Sequence, residues 1–111
     1  MEVKKVLVAD TAVEFCQALV QRLDSSLAVR ICHNGLEAEE LLEYYRPDVL
    51  VMDLALPGLD GIALLQRMEA LTKRPKILLT TRFFSPYIED AISGFGVDMV
   101  LIKPCNIQAV A

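Results

Sequence analysis

An α/β fold, with a doubly wound sheet of parallel strands covered by helices on both faces, is what this 111-residue sequence predicts. Two observations carry that prediction. Short apolar runs alternate along the chain with segments of helical period. The stretch VLVMDLALPG, residues 49 to 58, also sets four apolar residues in a row between Pro47 and Pro57-Gly58, which marks a strand buried on both faces, as parallel strands are.

The first strand is read at Val6-Leu7-Val8-Ala9. Cys16, Leu19, Val20 and Leu23 then recur on one face of a helix. The second strand is Leu27 to Cys32, followed by a helix whose apolar face is Ala38, Leu41, Leu42 and Tyr45. The third strand, Val49 to Met52, leads into a helix with Leu64, Leu65, Met68 and Leu71 on one side. The fourth, Ile77 to Leu79, precedes a helix with Ile88, Ala91, Ile92 and Phe95, and Met99 to Ile102 is the fifth strand. Asn34, Asp60 and Ser85 stand where N-caps belong, Pro86 suits a first helical position, and Gly94 or Gly96 can end the fourth helix. Strand and helix alternating this way imply βα units with right-handed crossovers. After the fifth strand only CNIQAVA follows, room for a fifth helix of little more than two turns. One sheet face is therefore expected to stay partly uncovered, and the natural chain is expected to continue into the rest of that helix and an effector domain.

The length suits one domain, residues 1–111, with a real core supported by a hydrophobic fraction of 54%. A net charge of −4 argues against direct contact with nucleic acid or an anionic membrane, since both select basic patches. Neither a signal peptide nor a membrane span is recognisable, so a soluble, cytoplasmic protein is expected. Cys16, Cys32 and Cys105 form no CxxC pair and read as small core hydrophobes in a reducing compartment.

Asp53 stands at the C-terminal tip of the third strand, the edge of an open parallel sheet where ligands collect. The other tips carry Asp10-Thr11, Thr80-Thr81 and Lys103-Pro104. Taken singly, each has a dull explanation as a cap, a turn or a solvated lysine. Together they supply the parts for handling a phosphoryl group. Asp53 can attack phosphorus to form an acyl phosphate, Lys103 can offset the charge growing on the phosphoryl oxygens, and Thr80 can donate a hydroxyl. A divalent cation, Mg2+, would bridge Asp53, the phosphoryl oxygens and nearby acids such as Asp10. Positioning and charge neutralisation are nearly all that phosphoryl transfer asks of a protein.

The blocks VLVAD, DVLVMDLALPGLDG, ILLTT and GVDMVLIKP, in this order and spacing, resemble the receiver domains of two-component response regulators along nearly the whole chain. The first two are also similar to those of sporulation-type transcription regulators. The resemblance implies a flavodoxin-like fold with strand order 2-1-3-4-5, Asp53 as phosphoacceptor, Thr80 as switch hydroxyl and Lys103 beside the phosphoryl group. It further implies a cis peptide at Pro104, the Thr81 backbone N–H on the phosphoryl group, and the Ala55 main-chain carbonyl as a metal ligand. The partners it implies are a sensor histidine kinase or phosphotransfer protein and a C-terminal effector domain, with a homodimer left open.

Three positions depart from the family pattern. Receivers usually carry a second acid directly after the first, and Thr11 stands there, so Mg2+ should bind weakly, with Thr11 contributing at most a weak or water-mediated contact. Glu14, a turn later, is expected to be solvated. Val100 replaces the aromatic residue usual on the fifth strand and is too short and stiff at χ1 to swing between states. RFFSPY, residues 82–87, places Phe83, Phe84 and Tyr87 on a loop, either as a partner surface or tucked beneath the fourth helix. The lone His33 reads as a turn residue.

Three functions compete. The first is a phosphorylatable receiver that takes phosphoryl from a histidine kinase and relays the change, catalysing at most its own phosphoryl transfer and dephosphorylation. The second is a pseudo-receiver, an interaction module independent of phosphorylation. An aspartate-nucleophile phosphatase is disfavoured because Asp10-Thr11-Ala12 lacks a DxD, and the absence of GxGxxG and GxxxxGK[ST] removes the usual nucleotide-binding classes.

Overall fold

The computed structural model describes residues 4–103. Its five strands are β1 (Lys5–Ala9), β2 (Ala28–Cys32), β3 (Val49–Asp53), β4 (Lys76–Thr81) and β5 (Met99–Ile102), all paired in parallel in the order β2-β1-β3-β4-β5. Between them lie α1 (Val13–Arg22), α2 (Gly35–Tyr44), α3 (Gly61–Met68) and α4 (Pro86–Ile92). This is the doubly wound, flavodoxin-like order. The expected fifth helix, the Pro104 peptide and Cys105 lie outside the described residues.

Alternation along β3 splits its side chains between two cores. Leu50 and Met52 join Leu7, Leu64, Leu65, Met68, Ile77 and Leu79 on the face covered by α2, α3 and α4. Val51 points the other way and joins Val6, Val8, Cys16 and Leu19 beneath α1. The apolar run at 49–52 is thus buried on both faces for the reason its composition suggests. Beside α1, an apolar groove of about 410 Å3 runs along the sheet over Val6, Val49, Val51 and Leu78.

The caps fall where the sequence places them. Asn34 Oδ1 accepts the Glu37 N–H at 2.8 Å, Asp60 Oδ1 accepts the Ala63 N–H at 2.9 Å, and Ser85 Oγ accepts the Ile88 N–H at 3.3 Å, with Pro86 opening α4. Helix α1 has no capping side chain of its own. Its entry is held instead by Asp10, whose Oδ1 accepts the Ala12 N–H at 2.8 Å.

Some boundaries differ from the sequence reading. β4 runs two residues past Leu79, because Thr80 pairs with Asp53 and Thr81 with Ile102. Leu27 precedes β2, its N–H turned onto the Asp24 carbonyl. Leu71 and Phe95 pack on the core from beyond the ends of α3 and α4. Gly94, at φ 87°, gives the left-handed turn that stops α4. Val20, expected on the core face of α1, is 37% exposed, at the margin of the face that Cys16 and Leu19 bury. Cys16 and Cys32 are buried free thiols, pushed up to about 11 and about 12 chiefly by that burial.

Candidate functional site

At the C-terminal edge of the sheet, a cavity of about 230 Å3 opens between Asp10-Thr11-Ala12, Asp53, Ala55, Thr81-Arg82-Phe83 and Lys103. Strand register builds it. Ala9 pairs with Met52, so the residues that follow, Asp10 and Asp53, end adjacent strands side by side. Lys103 follows β5, its N–H bonded to the Thr81 carbonyl at 2.6 Å. Its side chain reaches back across the strand tips, and Nζ donates to Asp53 Oδ2 at 2.9 Å and Asp10 Oδ2 at 2.6 Å.

Two carboxylates therefore share one ammonium, which leaves the cluster with one net negative charge. The side chains are largely withdrawn from water, with 2% of Asp10, 14% of Asp53 and 12% of Lys103 exposed. Burial alone would lower the lysine pKa. Hydrogen bonds to Asp10 and Asp53 and their charges outweigh it, so the ammonium is held above its ordinary value.

Each carboxylate keeps its remaining oxygen tied to the backbone: Asp10 Oδ1 to the Ala12 N–H and Asp53 Oδ1 to the Ala55 N–H at 2.9 Å. Both aspartates are thus fixed in orientation, and every oxygen retains a second lone pair. With Ala55 on the wall, the donor set is oxygen only, which suits a hard cation that keeps part of its water. Among the described residues no cluster of three or more acidic, histidine or cysteine ligands forms. Thr11 lines the cavity where a further acid would have supplied charge, while Glu14 is exposed, as expected.

Thr80 is placed differently. It lies beside Asp53 in register but is fully buried, does not line the cavity, and its Oγ1 has no hydrogen-bond partner among the described residues. Thr81 does reach the wall; its hydroxyl donates to the Phe83 carbonyl at 2.9 Å and accepts the Phe83 N–H at 3.3 Å, which fixes the following loop. Phe83 in that loop is 79% exposed, Phe84 38%, and Tyr87, in the first turn of α4, 88%, so none of the three is buried beneath α4. Val100 is half-buried and packs on the main core.

Two neighbours escaped the sequence reading. His33, read as a plain turn residue, places Nδ1 2.7 Å from the Asp10 carbonyl, an oxygen that Cys16 Sγ also approaches at 3.7 Å. Pairing of Ala9 with Cys32 sets residue 33 beside residue 10, so strand order was the signal that could have found it. Phe15 sets its ring 4.9 Å from Lys103 Nζ, a contact across 88 residues that no local pattern announces.

Comparison with known proteins adds the following. Residues 6–111 match the family model described as response regulator receiver domain. A curated relative, an uncharacterized transcriptional regulatory protein of Bacillus subtilis named YesN, is 31% identical over 78 residues, which cover 69% of this chain and 21% of that protein. This chain therefore spans about a fifth of that relative's length. A receiver domain of a Francisella response regulator superposes with a TM-score of 0.85 at 27% identity, covering 96% of this chain and 89% of the other. A CheY-like response regulator receiver domain protein from Methanospirillum hungatei superposes at 0.88 with 22% identity, over 98% and 88% of the two chains. A DNA-binding response regulator of the LuxR family from Staphylococcus aureus does so at 0.84 with 25% identity, over 96% and 92%.

Proposed function

Because this chain belongs to the response regulator receiver family, we propose that it takes a phosphoryl group on Asp53 and relays the change to an effector domain or partner. The observation that carries this reading is the pair of backbone-fixed carboxylates bridged by one part-buried lysine at the mouth of a cavity.

An Asp53 oxygen attacks phosphorus in a phosphorylated imidazole of a histidine kinase or phosphotransfer protein; the P–N bond breaks, and the imidazole leaves with a proton. The Ala55 N–H holds the attacking carboxylate in place. Lys103, between Asp10 and Asp53, neutralises charge on the arriving oxygens in a site where water screens little. Asp10, Asp53 and the Ala55 carbonyl would hold Mg2+, with Thr11 in contact weakly or through water, and the ion supplies positive charge to the phosphoryl oxygens. Thr80, one strand away and off the cavity wall, would meet a phosphoryl oxygen only by turning its side chain toward the cavity, whereas Thr81 already lines it. Thr81, whose backbone N–H the receiver resemblance assigns to the phosphoryl group, and Phe83 line the same cavity. Any turnover is confined to the protein's own phosphorylation and dephosphorylation.

The test is incubation with Mg2+ and acetyl phosphate, read by intact mass. One added phosphoryl group on the wild type and none on Asp53→Asn supports the reading. An adduct that survives Asp53→Asn removes the assignment. No wild-type adduct at saturating Mg2+ favours the pseudo-receiver, a module working without phosphorylation, to which Thr11 in the cavity wall gives specific support.

A further inference from the structure

The ammonium of Lys103 has a third neighbour besides its two carboxylates. Phe15, in the first turn of α1, lies with its ring centroid 4.9 Å from Nζ, within the range where a ring face attracts a cation. The ring is half-buried and packs against the core beneath α1, so its position is set by the fold rather than by the lysine. A phenylalanine that only filled space had no need to lie against the one ammonium bridging Asp10 and Asp53.

We propose that Phe15 is a positioning residue, a seat for the Lys103 ammonium that persists while its hydrogen-bond partners change. The inference rests on the reading of Asp53 as phosphoacceptor. When an Asp53 oxygen becomes bonded to phosphorus, its negative charge moves outward onto the phosphoryl oxygens, and Lys103 must follow. A hydrogen bond to a fixed carboxylate oxygen resists that movement because it is directional. Attraction to a ring face is spread over the ring and falls off gently, so the ammonium can slide toward the phosphoryl oxygens without being released to water. The contact also keeps an ammonium in a low-dielectric site where its charge acts most strongly.

The test uses Phe15→Leu, which keeps apolar bulk and removes the ring face, and Phe15→Tyr, which keeps the ring. The Lys103 Hε protons, read by NMR, are expected upfield of ordinary lysine values in the wild type and Phe15→Tyr, and to return to ordinary values in Phe15→Leu. Phosphorylation by acetyl phosphate at saturating Mg2+ is expected to slow by roughly three- to tenfold in Phe15→Leu, the range a cation–π contact allows, and to stay within about twofold of wild type in Phe15→Tyr. Should Phe15→Leu melt early, Phe15→Met serves in its place. Ordinary Hε positions in the wild type would overturn the seat whatever the phosphorylation result. Unchanged rates in Phe15→Leu, with the wild type phosphorylated, would overturn the positioning role. A wild type that shows the upfield shift but accepts no phosphoryl group keeps the seat and removes the reading of Asp53.

Discussion

The two edges of the sheet carry the same side chains to different ends. At the N-terminal edge, Asp48 Oδ2 accepts the Lys5 N–H at 2.8 Å and Oδ1 takes Lys73 Nζ at 2.7 Å, while Asp98 Oδ2 accepts the Ile77 N–H at 2.8 Å. At the C-terminal edge Asp10 and Asp53 also hold backbone N–H groups, but they share a single lysine. The Lys73–Asp48 pair is balanced and wet, with 40% and 23% of the side chains exposed, so it pins strand entries and does little else. The Asp10–Lys103–Asp53 cluster is dry, carries excess negative charge and opens on a cavity. Residue type does not separate a structural ion pair from a site; unbalanced, withdrawn charge beside open space does.

That contrast breaks most readily at the lysines. Lys103→Met is expected to slow phosphorylation by acetyl phosphate by about two to three orders of magnitude, the loss typical when a preorganised charge is removed from a reacting centre. Lys73→Met should leave the rate unchanged. Equal losses in the two variants, read by quenched time courses, would erase the distinction between the edges.

A smaller effect is expected where the C-terminal edge lacks charge. Thr11→Asp adds a carboxylate to the cavity wall and should tighten Mg2+ binding by roughly one to two decades, judged from the value of charge-assisted contacts. Calorimetric titration of both proteins measures it, and equal affinities would show that position 11 does not face the ion.

Thr80 sharpens the contrast through stability. Its buried hydroxyl lacks a partner among the described residues, so Thr80→Val should be neutral or stabilising by about 1 kcal/mol in urea unfolding. A loss of that size would mean that the hydroxyl does find a partner in solution.

The smallest effect is the pH response of the N-terminal edge. The Lys73 hydrogen bond first, and the Lys5 N–H second, hold the Asp48 carboxyl below its ordinary value. A depressed folded-state pKa adds stability above the ordinary carboxylate value and loses it as the pH falls through the folded one. Wild type should therefore outlast Asp48→Asn in urea at pH 7, and the gap should close as the pH drops below about 4. A gap that widens in acid would reverse the sign of this contribution.

Much of this was legible in the sequence because period and punctuation are local. The four-residue apolar run before Asp53 announces a two-faced strand, and Asn34, Asp60 and Ser85 cap the helices they precede. The convergence of Asp10, Asp53 and Lys103 was legible through the resemblance and through the rule that strand tips gather at one edge. What stayed hidden depends on distance across the fold. Phe15 against Lys103 and His33 against the Asp10 carbonyl follow from strand order and helix packing, which no window of neighbouring residues contains. Thr80 reads from the sequence as a strand-tip residue just after Leu79. Backbone pairing with Asp53 carries the strand through it and buries its hydroxyl.

The most direct measurement locates the modified atom. An acyl phosphate on aspartate is reduced by borohydride to homoserine, a change that peptide mapping can place. After treatment with acetyl phosphate and Mg2+, homoserine is expected at position 53 alone, with Asp10 and Asp48 unchanged. Homoserine at position 10, or an adduct that borohydride does not convert, would contradict the assignment of Asp53 as the nucleophile of this edge.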